Sequence, residues 1–257
     1  MSKKVILMSI DGMRPDGLLK CGNPFVEEMM RRGQYTLTGR TVYPSVTLPC
    51  HVSMFYSVPP ERHGTVTNVY VPQVHPMDGL TTVIKHAHKK SVMFYGWEQI
   101  RAVAPAGDMA QTEFYRARAF DDTDNYLIDK GLECIAKVQP DFAFLYQVET
   151  DEKGGHDHGW MSEEYLAILS NAVSNVKKVL DACGDEYTVF VTADHGGHDR
   201  AHGTDMPEDM TIPMFGFGPD FTPGATFEDA SILDITPTIA KIMELPFDEN
   251  WEGKPLV

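Results

Sequence analysis

Tyr187-Thr-Val-Phe-Val-Thr-Ala-Asp-His-Gly-Gly-His-Asp-Arg-Ala-His-Gly203 joins two kinds of sequence in one stretch. Its first five residues form an apolar run that reads as a strand buried on both faces. The segment from Thr192 onward then packs three His and two Asp among three Gly. Neutral imidazole and carboxylate are the donors that Zn2+ or Mn2+ prefers. Glycine lets a backbone turn sharply enough to aim neighbouring side chains at one point. One such cluster could still be a solvated loop, so its meaning depends on whether the rest of the chain supplies matching ligands.

Two other apolar runs end the same way. Val5-Ile-Leu-Met-Ser-Ile10 runs into Asp11, and Pro140-Asp-Phe-Ala-Phe-Leu-Tyr146 runs into a loop that holds Asp151, His156 and His158. Between these strands the period changes to that of helices. Pro24 opens one with Phe25, Val26, Met29 and Met30 on its apolar stripe. Others are expected over 80–89, over 121–138 with Asp121 or Asp122 as cap, over 163–183 behind a Ser162 cap, and over 232–245. Further strands are expected over 35–43, 91–95 and 212–218, with Pro213 suiting an edge or a strand start. Residues 97–120 are weakly patterned. Alternating strands and helices predict an α/β fold, a three-layer α/β/α sandwich with a mainly parallel central sheet. In such sheets ligands bind beyond the carboxyl ends of the strands. Asp11, Asp151 and Asp194 should therefore meet in one crevice. Any one of them alone would be a turn or cap residue; three together, two in His-bearing loops, indicate a metal site.

Composition sets the outer bounds. The 257 residues are 42% hydrophobic and 23% charged, enough for one sizeable core spanning 1–257. A net charge of -15 excludes a nucleic-acid-binding surface, which needs a basic footprint. Four scattered cysteines, Cys21, Cys50, Cys134 and Cys183, form no CxxC pair. No apolar run is long enough to span a bilayer, and Val5–Ile10 is too short for a signal-peptide core, so a cytoplasmic location and no membrane partner are expected. A homo-oligomer is compatible with all of this.

A nucleophile is sought in Tyr43-Pro-Ser-Val-Thr-Leu-Pro-Cys-His51, which offers Ser45, Thr47, Cys50 and His51. A metal-bound hydroxyl loses its proton readily. A Thr opening a helix also brings backbone N–H groups suited to an anion. The same Thr47 would serve as an ordinary N-cap, and the residues alone do not separate the two roles. A Cys50–His51 dyad is a poor alternative, because adjacent helical residues point in different directions.

The chain resembles the alkaline phosphatase superfamily, in its nucleotide pyrophosphatase/phosphodiesterase branch, over nearly its full length. Asp11 follows the first strand as the family's first metal Asp does. Pro44-Ser-Val-Thr-Leu-Pro-Cys-His51 is similar to the family's Pro-Thr-x-Thr-x-Pro-Asn-His, with Thr47 at the nucleophile. Val58-Pro-Pro-Glu-Arg-His-Gly64, Asp151 to Gly159, Asp194-His195-Gly196 with His202-Gly203, and Ile212-Pro with Asp234-Ile-Thr-Pro-Thr238 match further motifs in order. The resemblance implies an alkaline phosphatase-like catalytic domain without a large inserted cap, and two divalent ions, Zn2+ with Mn2+ as the second choice. Asp151, His156 and His202 would hold one; Asp11, Thr47, Asp194 and His195 would hold the other. Thr47 would attack phosphorus in a small phosphate-ester substrate and pass through a phospho-threonine. Two ions roughly 3.5–4 Å apart can stabilise both oxygens of an in-line displacement.

Three departures stand out. The family's Asn is Cys50 here, and a thiol is a weak donor to a phosphoryl oxygen. Asp151 lies one residue farther from His156 than in the pattern, a spacing Glu152 would restore. The middle of the chain is short. Cys50 and Asn68 are the candidate substrate contacts, with Arg14 and Tyr70 nearby; His158 and His198 are spare ligands or orienting groups. His51 and His63 read as hydrogen-bonded structural residues, and His75, His86 and His88 as surface. A phosphodiesterase or nucleotide pyrophosphatase is the expected activity. The alternatives are a phosphomonoesterase or phosphonate hydrolase, and, in another class, a silent metal-stabilised binding module. Sulfatase chemistry needs a Cys/Ser-x-Pro-x-Arg setting that Cys50-His-Val-Ser-Met54 lacks.

Overall fold

The computed structural model describes residues 3–73, 76–119, 122–184 and 186–257, so His75 and the Asp121 cap fall outside the described residues. Its strands are β1 (Lys4–Ile10), β2 (Gln34–Arg40), β3 (Ser91–Tyr95), β4 (Met109–Phe114), β5 (Phe142–Gln147), β6 (Tyr187–Thr192) and β7 (Thr211–Phe217). They form one sheet in the order β2-β7-β6-β1-β5-β3-β4. The run from β6 to β4 is parallel; β7 is antiparallel to both β6 and β2. The helices are α1 (Pro15–Lys20), α2 (Phe25–Arg32), α3 (Thr47–Tyr56), α4 (Pro60–His63), α5 (Leu80–His86), α6 (Thr123–Val138), α7 (Glu163–Cys183), α8 (Pro207–Met210) and α9 (Ile235–Ile242).

The sheet is covered on both faces because β5 is apolar on both. Phe142 and Phe144 turn toward α3, where Phe55 meets each ring edge-on. Leu145 turns the other way, against α6, and a Cβ built on Gly131 would come within 2.6 Å of it. Gly131 is therefore what lets α6 approach the sheet. Helices α1, α2 and α6 pack against α7 on one side; α5 and α9 pack against α3 on the other. Ser162 caps α7, its hydroxyl accepting from the Tyr165 N–H as its sequence position suggested.

Three expectations change. Pro213 lies inside β7, which is an interior strand rather than an edge. It is tolerated because the β2–β7 register slips opposite it, between Thr36 and Gly39, and because β6 pairing ends at Met214. β4 was hidden in the weakly patterned 97–120 stretch, since an edge strand with mostly exposed residues carries no apolar period. The helix expected over 232–245 is a tight turn over Ile232–Asp234, closed by a Ser231/Asp234 capping box, followed by α9. Among the described residues no helix is long and apolar enough to cross a membrane.

Register explains why the three carboxylates converge. Ile10 pairs with Gln147 and Ser9 with Thr192, so β1, β5 and β6 end flush at one edge. The chain leaving each strand delivers Asp11, the Asp151 turn and Asp194 to the same place.

Candidate active site

Asp11, Asp194 and His195 are buried beyond the ends of β1 and β6. Their ligand atoms lie within 4.8 Å of one another, and so do those of Asp151, His195 and His202. His195 thus stands between two groups, its ring stacked on His202 with centroids 3.8 Å apart. Thr47, the first residue of α3, brings its Oγ1 to 3.1 Å from His195 Nε2. His156 Nε2 reaches Asp151 Oδ2 at 3.5 Å and His202 Nε2 reaches Asp151 Oδ1 at 3.7 Å. All seven residues named for metal and nucleophile are therefore gathered at one edge, with His156 more exposed than the others.

Hydrogen bonds to backbone oxygens decide which imidazole nitrogen faces inward. Nδ1 of His195, His202 and His156 lies 2.7, 2.9 and 3.0 Å from the carbonyls of Gly196, Ser45 and Arg200. A carbonyl can only accept, so each Nδ1 donates and each Nε2 is left as a bare lone pair. The His195 lone pair then points at Asp11 Oδ1 and Asp194 Oδ2, each 3.3 Å away. Those two oxygens, and Asp151 Oδ1, are buried without any hydrogen-bond partner. Three orphaned carboxylate oxygens facing bare imidazole nitrogens repel unless a cation lies among them. The donor set of carboxylate and imidazole fits divalent transition ions in both groups.

Electrostatics agree. Burial, then the neighbouring carboxylates, pushes Asp11 and Asp151 well above the usual carboxylate range. Burial drives His202 down to about 3, so its ring stays neutral and ready to ligate.

The extra residue between Asp151 and His156 is absorbed locally. Thr150–His158 winds as a wide π-helical turn, in which the Gly159 N–H reaches back to the Gly154 carbonyl at 3.1 Å. A π turn accommodates an insertion within a helix and is frequent at functional sites. Asp151 keeps its place beside His202, while the Glu152 carboxylate is taken up by Arg118.

Other candidates are placed as follows. Asn68 lines the cavity beside Thr47, its Oδ1 accepting from the Leu48 N–H at 3.0 Å. Cys50 does not line it: one turn into α3, its buried sulfur lies 3.2 Å from Thr41 Oγ1, whose one proton goes to the Asp194 carbonyl. The helix turns the Cys50 side chain away from the crevice, and burial pushes its thiol well up, which removes it as a nucleophile. His51 donates Nδ1–H to the Thr47 carbonyl and pairs with Ser9 Oγ through Nε2, a structural role. His63 likewise lies between Ser53 Oγ and the Thr65 N–H. His198 donates to buried Asp209, bracing the loop that carries His202. Arg14 is spent on Asp16 and the Gly197 carbonyl. His158 and Tyr70 are exposed and outside both ligand groups. Sequence reasoning missed Tyr146, whose hydroxyl donates to Asp11 Oδ2, and Trp97 at the cavity rim. Tyr146 stood in plain view at the end of a strand, but nothing in a strand-end Tyr signals a hydroxyl aimed at a carboxylate.

An α/β fold that collects this Asp/His/Thr set at its strand ends forms a candidate metal and nucleophile site. A family model for type I phosphodiesterase / nucleotide pyrophosphatase matches residues 5–206, and the chain belongs to that family. Ectonucleotide pyrophosphatase/phosphodiesterase family member 1 of Rattus norvegicus is 25% identical over 222 residues, 76% of this chain and 24% of its own. The chain thus spans about a quarter of that relative. Murine ectonucleotide pyrophosphatase/phosphodiesterase 5, an inactive variant in complex with AMP, superimposes with a TM-score of 0.77 at 15% identity, covering 95% of this chain and 96% of its own. A phosphonate monoester hydrolase from Silicibacter pomeroyi gives 0.76 at 16% identity, covering 99% and 76%. The fold is alkaline phosphatase-like, and the type I phosphodiesterase / nucleotide pyrophosphatase family is one of hydrolases.

Proposed function

We propose that this chain hydrolyses phosphate diesters or nucleotide pyrophosphates by way of a covalent phosphoryl group on Thr47 that keeps the second ester substituent of the substrate. The observation that carries this reading is Thr47 Oγ1 at the start of α3, 3.1 Å from the bare Nε2 of His195, beside three orphaned carboxylate oxygens. Asp11, Thr47, Asp194 and His195 would hold one divalent ion, and Asp151, His156 and His202 the other; Zn2+ is the ion we assign. When bound, the ions supply Lewis acidity to the Thr47 hydroxyl and to the phosphoryl oxygens.

The chain's own residues do the rest. Thr47 Oγ1 forms the new bond to phosphorus, the bond to the departing oxygen breaks, and water later cleaves the Thr47–phosphorus bond. Asn68 has its Oδ1 committed to the Leu48 N–H, so its amide N–H group is the one left to donate to a phosphoryl oxygen. This supplies the donor that Cys50 does not. Tyr146 donates to Asp11 Oδ2 and so orients the other oxygen of that carboxylate toward His195.

Thr47→Ala is expected to abolish turnover of bis(p-nitrophenyl) phosphate while leaving the bound metal, measured by elemental analysis, unchanged. An active Thr47→Ala enzyme would sink the mechanism. Rates on p-nitrophenyl phosphate, its diester and the phenylphosphonate ester rank the diesterase reading against the monoesterase and phosphonate readings.

A further inference from the structure

The cavity that holds Thr47, Asn68, Asp151 and His202 has a volume of only about 70 Å3, room for the reacting phosphoryl group and little more. Trp97 and Glu152 form part of its wall, and both also line a second cavity of about 320 Å3. The rest of that second cavity comes from Gly96, Glu98 (whose carboxylate is paired with Arg101), Gln99, Phe114 at the end of β4 and the 116–118 segment after it.

This larger cavity has a definite chemistry. Trp97, half-buried, and Phe114, stacked on Tyr95 with centroids 5.4 Å apart, give it flat apolar walls. Arg118 closes it, its guanidinium bonded to Glu152 and, through both terminal nitrogens, to Asp157. Those bonds consume Arg118, whose single positive charge is shared between the Glu152 and Asp157 carboxylates. Arg116 is different: among the described residues its guanidinium has no hydrogen-bond or ion-pair partner. In a chain of net charge -15, an unpaired guanidinium on the wall next to the catalytic cavity attracts an anion.

We propose that this cavity receives the part of the substrate beyond the reacting phosphorus, and that this part carries a second anionic group, phosphate or carboxylate, held by Arg116 and resting against Trp97. The proposal rests on the hydrolase reading above and adds to it a substrate class and a specificity residue. Arg116 selects the substrate; Thr47 and its neighbours react with it.

The test pairs molecules that differ only in the second anion: ethyl against 2-carboxyethyl p-nitrophenyl phosphate for turnover, and ethylphosphonate against 2-carboxyethylphosphonate for binding to the metal-loaded protein by calorimetry. Arg116→Ala should raise KM for the carboxylate diester about 10-fold, with kcat and the ethyl diester little changed, since one charge-assisted hydrogen bond is lost. Arg116→Lys should recover part of that loss, and Trp97→Ala should weaken both members of each pair. The Arg116→Ala difference should shrink at high salt, because the site is open. Equal effects of Arg116→Ala on both members of a pair, or no effect on either, overturn the proposal. If no diester is turned over but Arg116→Ala still weakens 2-carboxyethylphosphonate selectively, the cavity stands and the hydrolase reading fails. If diesters are hydrolysed with no selective change in Arg116→Ala, the reverse holds.

Discussion

The two ligand groups are built differently. Asp11, Asp194 and His195 follow directly from strands β1 and β6, and their side chains have 2% exposure or less. Asp151 and His156 belong instead to the π-helical turn after β5, and the His156 side chain is 38% exposed. The first group is fixed by the sheet itself; the second hangs from one irregular turn and opens to solvent. The strand ends fix the first group, while the second depends on local winding and on braces such as His198–Asp209.

The largest break in that comparison should come from the buried group. Asp194→Asn removes a charge that faces His195 and His51 and also loosens the Gly12 N–H contact. It should cost roughly 10²–10³-fold in kcat/KM, on the scale of losing one preorganised electrostatic contact in a closed site. Added metal should not restore it. His156→Gln, in the open group, should lower metal affinity by more than the about 10–100-fold that losing a ligand's orienting partner costs. Excess metal should restore turnover there, because binding to an open centre follows mass action. Titration of metal against activity separates the two; a His156→Gln enzyme insensitive to added metal would contradict the distinction.

The smallest effect is a control outside both groups. Burial lowers His63 from 6.5 to about 4. The unfolded chain therefore takes up a proton before the folded one does. The stability this neutral ring contributes is fully present above pH 6.5 and is lost as pH falls toward 4, about 3 kcal/mol in all. Denaturant unfolding across that range should show a steeper loss for the natural protein than for His63→Gln, while activity at neutral pH stays near normal.

Much of this was legible in the sequence because it is local. Val5–Ile10, Phe142–Tyr146 and Tyr187–Val191 are continuous apolar runs, and an Asp follows each within five residues. What was not legible is three-dimensional. β4 is an exposed edge strand with no period to read. The π-helical turn that reconciles the Asp151–His156 spacing depends on packing: a Cβ on Gly155 would lie 2.5 Å from the Trp160 ring. Cys50 looked like a substrate contact from its position in the motif, yet the direction of α3 sends its sulfur to Thr41. Tyr146 and Trp97 gave no signal, since a hydroxyl or ring aimed across a crevice is set by register and not by sequence spacing.

The central claim is that Thr47 Oγ1 bonds to phosphorus during turnover. Acid quenching of the metal-loaded protein during steady-state hydrolysis of a radiolabelled phosphodiester, followed by peptide mass analysis, reads this directly. The account predicts, on the peptide carrying Thr47, a covalent phosphoryl group that retains the substrate's second ester substituent, absent from Thr47→Ala. Turnover with no label at Thr47, or label on another residue, would contradict it.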